Sequence, residues 1–219
     1  MKKHMTTVLK LQLIACTAAV GLLSGCASNS YDKAAATGTA LQTTAAQIYQ
    51  GNAQLTLVMA DLNNLVERPQ ADLRPQFDKF SDAVNKLQSL ASDVNDKATD
   101  MQAKGADYFK DWDQQLATIK NEDVRARSSK RAKEVETKFI ALNGSYQEAK
   151  TAFKPFMSDL QDIQTALGND LTPAGIDAVK KTVAQANKEV KPLKKTVSKL
   201  GDDFKSLGVS MSPMTPAPK

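Results

Sequence analysis

The sequence predicts an all-α protein that folds as an elongated antiparallel four-helix bundle with coiled-coil-like packing. Along four long stretches, apolar or small residues recur at alternating spacings of three and four, which is the pattern of a helix that buries one face. Short segments that contain proline, glycine or capping residues separate these stretches. Because short connections between long helices favour antiparallel neighbours, we expect the four apolar faces to form one continuous core.

The first two helices are predicted over residues 31–66 and 75–120. In the first, the early stripe positions Ala34 and Gly38 are small, so a neighbouring helix is expected to approach closely there. The segment between the helices contains two prolines, which break a helix because proline donates no amide hydrogen and restricts the residue before it. Pro75 suits the first position of the second helix, where that hydrogen would have no partner within the helix.

Capping and stop residues bound the third predicted helix, which runs from Asn121 to about Leu167. Asn121 is a favoured N-terminal cap, and Gly168 is a common helix stop. Two acids follow the cap, where the helix dipole favours negative charge. Pro155 lies inside this helix and Pro192 inside the fourth, and each is expected to bend its helix.

The fourth predicted helix has the most regular stripe and spans residues 173–207. Thr172 caps its start ahead of a proline, and Gly208 is expected to end it. The remaining residues, 208–219, are small, polar and rich in proline, so we expect them to be disordered. One bundle domain is therefore predicted over residues 31–207.

Residues 1–25 have the pattern of a secretion signal. Lys2, Lys3 and Lys10 give a positive start, and this segment contains no acid. The apolar run that follows, residues 13–23, is too short for a permanent transmembrane helix, which needs ~20 residues. It matches the short apolar region of a signal peptide instead.

The signal ends in a motif that resembles the lipobox of bacterial lipoproteins, formed by Leu23, Ser24, Gly25 and Cys26. The resemblance implies that the chain is cut before Cys26 and that its sulfur is acylated, which makes residues 26–30 a lipid anchor and short linker. Each buried CH₂ contributes ~0.8 kcal/mol, so two or three acyl chains hold a protein durably at a membrane. Ala27 in place of an aspartate implies, by the same resemblance, the periplasmic face of the outer membrane. The alternative is an ordinary buried cysteine behind a signal peptide.

Cleavage before Cys26 would remove both Cys16 and His4, which is the only histidine. The remaining chain could then form no internal disulfide and no Ser-His-Asp or Cys-His catalytic arrangement, and it would lack the usual zinc ligands. Its formal charge would fall from +5 to +2, because three lysines leave with the signal. We therefore predict no catalytic residue, no metal site and no cofactor.

Basic residues cluster near the predicted turn between the second and third helices. Residues 125–133 contain no acid and five basic side chains: Arg125, Arg127, Lys130, Arg131 and Lys133. At 1.5 Å per residue, the predicted helix lengths make this turn project about 15 Å past the start of the first helix, towards the membrane. Anionic lipids would attract each basic residue there by ~1 kcal/mol. The alternative is a solvated helix start, neutralised by the acids at positions 122, 123, 134 and 136.

A second basic surface is predicted on the fourth helix, where residues 180–199 contain seven lysines and one acid. These lysines lie off the apolar stripe, so they coat an outer face. Such a face can meet phosphates, an acidic polymer, an acidic partner or the more acidic first half of the same chain. The alternative is a solvated face that is partly neutralised within the molecule.

Two segments of the sequence resemble a family of bacterial helical lipoproteins whose domain has no assigned function. They read "YFKDWDQQLATIKNEDVRARSSKRAKEVETKF" and "AFKPFMSDLQDIQTALGNDLTPAGIDAVKK". The resemblance covers roughly residues 77–190 and rests on Trp112, Arg125, Ser129 and Pro155. It implies a helical domain in the cell envelope and no particular chemistry.

Three classes of function remain open. The first is a lipid-anchored, non-enzymatic adaptor or scaffold for a membrane, cell-wall or protein partner. The second is a periplasmic carrier or sensor of a small ligand, which requires a larger cavity than a packed stripe suggests. The third is an enzyme, which requires carboxylates that converge in a cleft with perturbed pKa values. Nucleic acid is not an expected partner, because the anchor would hold the protein outside the cytoplasm.

Overall fold

The computed structural model describes residues 26–212, with side chains from residue 34 onwards. Within this part of the chain there are four helices and no strand: α1 (Cys26–Glu67), α2 (Arg74–Thr118), α3 (Glu122–Asn169) and α4 (Pro173–Met211). The helices pack against one another, which confirms the predicted all-α bundle. Proline stands inside α3 and α4, as Pro155 and Pro192, and neither residue ends its helix. The bend predicted at each stays a prediction.

The helices form a ring in which each packs on the two that are next to it. α1 and α4 share the most extensive contact, α3 and α4 the next, and α2 and α3 the least. Short connections at residues 68–73, 119–121 and 170–172 reverse the chain direction. The molecule therefore has two ends. One, the turn end, carries the α1–α2 and α3–α4 turns. The other, the hairpin end, carries the α2–α3 turn.

Side-chain caps fix the starts of α3 and α4 as predicted. The side-chain oxygen of Asn121 accepts a hydrogen bond from the Val124 amide at 3.1 Å. The hydroxyl of Thr172 accepts one from the Gly175 amide at 3.2 Å. Each cap gives a partner to an amide hydrogen that has none within its own helix.

The turn between α1 and α2 depends on a buried residue that the sequence pattern did not single out. Gln76 is only 4% exposed. Its side-chain oxygen accepts from the amide of Gln70, and its side-chain nitrogen donates to the carbonyls of Asn64 and Arg68. The Asn64 carbonyl also accepts from the Arg68 amide, and Arg68 follows the last residue of α1. Gln76 therefore ties the end of α1 to the proline segment and to the start of α2.

Two predicted helix boundaries differ from the structure. α1 begins at Cys26, so residues 26–30 are helical and do not form a linker. α4 runs through Gly208 to Met211. A Cβ atom on Gly208 would lie 2.8 Å from the Gly38 carbonyl oxygen, so this glycine serves a close approach of α1 and α4 and does not stop the helix. The close approach predicted at Gly38 is confirmed. Residues 213–219, the rest of the predicted tail, lie outside the described residues.

The apolar stripes are buried, but the predicted single continuous core is divided in two. A turn-end cluster extends from Leu55 to Leu193 in sequence and includes the fully buried Phe80 and Phe156. A separate hairpin-end cluster surrounds Phe204 and draws on all four helices. The two clusters meet near the middle of the bundle, where the stripe residues of α2 and α3 are small.

The core is tested by two leucines of α1 that differ in burial. Leu62 is fully buried, whereas Leu57 is 56% exposed. We expect Leu62→Ala to lower the free energy of unfolding by about 2–5 kcal/mol, because it deletes buried methyl groups and leaves a cavity. Leu57→Ala should change it by less than about 0.5 kcal/mol. Urea unfolding followed by circular dichroism measures both, and equal losses would contradict this packing.

Candidate functional site

Part of the hairpin end, which is defined as residues 105–139, extends past the last turn of α4. The Arg131 guanidinium donates to the Ser210 carbonyl oxygen at 2.5 Å, which places the end of α4 level with Arg131. From there α3 continues about 14 Å to its start at Glu122. α1 contacts the end of α4 at Gly38 and continues about 18 Å to its start at Cys26.

These lengths correct the predicted 15 Å projection of the α2–α3 turn past the start of α1. That prediction started the first helix at residue 31, whereas α1 starts at Cys26. The beginning of α1 and the α2–α3 turn therefore reach a similar distance beyond α4. Leu23, Ser24 and Gly25 lie outside the described residues. No helix in the described part of the chain is long and apolar enough to cross a membrane.

The structure places the five predicted basic residues on the first turns of α3 but pairs three of them with acids of the same helix. Nitrogen–oxygen distances are 3.9 Å for Arg125–Glu122, 3.1 Å for Arg127–Asp123 and 3.5 Å for Arg131–Glu134. Lys130 and Lys133 are exposed and form no ion pair with any side chain of residues 34–212. The uncompensated charge of this patch is thus carried by two lysines.

An aromatic cluster lies beside the basic residues on the hairpin end. Ring centroids are 5.6 Å apart for Tyr108–Trp112, 5.4 Å for Tyr108–Phe109 and 5.4 Å for Phe109–Phe139, all in edge-on geometry. Each of these side chains is partly exposed. Burial raises the pKa of Tyr108, while the charge of Arg131 opposes that rise. Partly exposed Trp and Tyr beside basic residues are typical of surfaces that lie at the polar boundary of a membrane.

Gly105 allows this cluster to form. A Cβ atom at position 105 would lie 2.2 Å from the Phe139 ring, so only glycine lets this ring pack against the α2 backbone. In the sequence, Gly105 occupies a stripe position of the second helix, and the spacing alone does not indicate this role. The close approach depends on the register of α2 against α3, which periodicity does not give.

Two polar groups outside the hairpin end have unusual surroundings. Ser145, 2% exposed, is hydrogen-bonded to both Asp203 and Lys199, and Lys199 is paired with Asp203 at 2.7 Å. These contacts form a polar cross-link between α3 and α4. Burial, with the nearby charges of Glu189 and Asp162, raises the pKa of Asp159. Asp159 does not line the cleft described next.

The mid-bundle cleft is the main structural feature that was not predicted from the sequence. It opens between α2 and α3, has a volume of about 560 Å³, and has its floor on α1 and α4. Its mouth is bounded at one end by a Gln88–Gln161 hydrogen bond of 3.3 Å and at the other by a Tyr146–Asn95 hydrogen bond of 2.7 Å. No group of three or more potential metal-ligating residues occurs in the part of the chain that the structure describes.

Small residues explain the volume of the cleft. Ala91 and Ala149 occupy stripe positions on α2 and α3, and Gly51 lies on the floor with nothing within 4 Å of where its Cβ would stand. The 3–4 spacing assigns these alanines to the buried face of each helix, but an alanine side chain fills much less space than a leucine side chain. The small residues could have indicated a cavity, although the sequence alone does not show that they face one another.

The role of Gly105 can be tested against Gly144, which is also in a helix but has nothing within 4 Å of its Cβ position. Gly105→Ala should displace Phe139 and change the fluorescence emission of Trp112, the only tryptophan of the chain. Gly144→Ala should leave the emission unchanged and stabilise the fold by about 0.5–1 kcal/mol, because alanine favours helix. An unchanged emission spectrum in Gly105→Ala would contradict the described packing.

Comparison with known proteins gives one finding. The family model described as "Protein of unknown function (DUF2959)" matches residues 34–204, a longer segment than the predicted resemblance and one that reaches all four helices. No curated protein and no solved structure matches the chain. The predicted resemblance to an uncharacterised family is thereby confirmed. The chain belongs to the family of proteins of unknown function DUF2959.

Proposed function

We propose that this protein is a lipid-anchored, non-enzymatic helical protein of the bacterial cell envelope, which acts as an adaptor or scaffold at the membrane surface. In this proposal acyl chains on Cys26 hold the start of α1 at the membrane, on the periplasmic face of the outer membrane. The hairpin end then rests against anionic headgroups. One observation carries the proposal: the start of α1, the unpaired lysines and the aromatic cluster all belong to the same end of the bundle.

The anchor part of the proposal is supported by the sequence before α1. A positive start, a short apolar run and the lipobox-like Leu23, Ser24 and Gly25 lead directly to Cys26. Because α1 starts at this cysteine, the bundle would stand on the membrane without a flexible spacer between lipid and helix. A rigid connection of this kind would keep the hairpin end within reach of the surface.

The surface contact is supported by distance and charge. Electrostatic attraction between exposed charges is screened beyond ~8 Å at physiological salt, so a basic patch matters only close to the headgroups. Lys130 and Lys133 lie near the level of Arg131, about 14 Å from the α2–α3 turn and about 18 Å from the level at which α1 starts, so they would reach the headgroups where the bundle leans onto this side of its hairpin end. The aromatic cluster adds side chains that combine an apolar ring with a polar atom, which suits the same boundary.

A carrier or sensor of a small ligand is the second candidate, and the mid-bundle cleft favours it. A volume of about 560 Å³ lies in the range of about 300–1,000 Å³ that is usual for small-molecule sites. This candidate is compatible with an anchored protein, because the cleft opens on the side of the bundle and away from the hairpin end.

The surface contact is tested with two lysine pairs of equal charge. Lys130→Gln with Lys133→Gln should weaken binding of the protein to anionic vesicles about tenfold or more, because each basic residue near the surface contributes ~1 kcal/mol. Lys188→Gln with Lys191→Gln on the outer face of α4 should weaken it less. Vesicle cosedimentation at low and physiological salt measures both. Equal losses would mean that net charge alone governs binding and would refute a special role of the hairpin end.

The anchor is tested separately by Cys26→Ala. In cells fed a labelled fatty acid, this variant should carry no label and should stay uncleaved, because the sulfur that accepts the lipid is missing. The parent protein should carry the label and migrate as the shorter, processed form. Labelling of Cys26→Ala at the parent level would refute the anchor.

A further inference from the structure

We infer that the mid-bundle cleft binds a single-chain amphiphile, with its hydrocarbon chain between the helices and its anionic head group at Lys150 and Lys154. Long-chain fatty acids and monoacyl phospholipids share this chemistry. The inference specifies a ligand class for the carrier or sensor candidate and does not depend on contact between the hairpin end and a membrane.

The walls of the cleft are apolar over most of their surface. α2 and α3 contribute partly exposed apolar side chains at its mouth, among them Leu90, Val94 and Phe153, and α1 and α4 form a floor that includes Ile48 and Leu200. An apolar surface that water can reach in the middle of a bundle is unfavourable, and a hydrocarbon chain would cover it. The cleft is lined by residues of both core clusters, so its occupant would contact both.

The charged groups around the cleft select an anionic head. Lys150 and Lys154 are the ionised side chains among the described residues that line it, and no carboxylate of residues 34–212 does so. Lys150 is held at the mouth, where its ammonium donates to Asn95 at 3.3 Å and lies 5.6 Å from the centre of the Tyr146 ring. The lysines are one helical turn apart, so both ammonium groups can reach one carboxylate or phosphate.

Gln47 adds a polar side chain to the lining of the cleft. Its side-chain oxygen is buried and has no hydrogen-bond partner among the described residues. A buried acceptor without a partner is costly, and rotation of this amide towards the cleft would let a ligand hydroxyl or amide hydrogen satisfy it. A hydroxylated chain or the glycerol of a monoacyl phospholipid carries such a hydrogen.

The dimensions of the mouth favour a thin occupant. Between the Gln88–Gln161 and Asn95–Tyr146 hydrogen bonds, the mouth spans seven residues of α2, or about 10 Å, and fifteen residues of α3, or about 22 Å. A helix with its side chains is about 10–12 Å across and would fill the whole α2 side of this opening, whereas a hydrocarbon chain is much narrower. A single hydrocarbon chain passes between the two hydrogen bonds.

Binding is measured by isothermal titration of the full chain, in detergent-free buffer, with saturated fatty acids of increasing length. The dissociation constant should fall about fourfold for each added methylene until the cleft is filled. A fatty acid should bind at least tenfold more tightly than the alcohol of the same chain length. A monoacyl phosphatidylglycerol series shows whether carboxylate or phosphate is preferred. Absence of saturable binding by both series, or equal affinity for acid and alcohol, would overturn the inference.

Matched variants locate the site. Gly51→Leu should place a side chain in the cleft and weaken binding at least tenfold, whereas Gly144→Leu, which also has open space around its Cβ but lies outside the cleft, should not. Lys150→Gln with Lys154→Gln should remove the preference for acid over alcohol, whereas Lys188→Gln with Lys191→Gln should keep it. The lysine variants change exposed residues and should fold normally. They therefore test the head-group position even if the Gly51→Leu protein unfolds. Unchanged preference in the Lys150 and Lys154 double variant would refute the assigned head-group position.

Discussion

The architecture depends on the close approach of the α1 and α4 backbones. Gly38 and Gly208 face each other so closely that neither has room for a Cβ atom, and Gly201 packs against the ring of Tyr49. The Tyr49 hydroxyl donates to Asp202 at 2.6 Å. This hydrogen bond raises the pKa of Tyr49 to about 12, together with burial and the charge of Asp202. The phenol therefore stays protonated, and a neutral donor fixes the position of α1 along α4.

The opposite side of the ring is organised differently. Where α1 and α4 approach closely through glycines, α2 and α3 face each other through alanines and polar side chains, with a cleft between them. At the level of Gly201, the bundle thus has a tight side and an open side. Gly201 seats Tyr49 on the tight side, while Leu200 reaches through the core to the floor of the cleft. Adjacent residues of α4 therefore contribute to both sides.

The sequence predicted the helices well because each has its own local signals. The 3–4 spacing marks the buried faces, and the caps at Asn121 and Thr172 act within three residues of themselves. Gly208 shows the limit of such signals. A glycine after a long stripe usually ends a helix, yet here the backbone of α1 occupies the space where a side chain would stand. Local pattern cannot distinguish these two uses of glycine.

The candidate sites were predictable to different degrees. The basic residues near Arg125 were found because charge is visible in sequence, and the acids that pair with them stand three or four positions away. The cleft was not found, because its volume depends on which side chains of the four helices face one another. Gln76 was missed for a similar reason, since its partners Asn64 and Arg68 belong to the preceding helix and turn.

The pairing of the first helix with the last has a consequence for the order of folding. α2 and α3 are neighbours in sequence and can form a hairpin early. The most extensive contact of α1 is with α4, which is the last helix in the chain. Contacts between distant parts of a chain form late, because the loop between them must be closed first. During synthesis, the apolar face of α1 therefore stays half covered until Gly208 has been made. Apolar surface that stays exposed for this long makes the incomplete chain prone to aggregation.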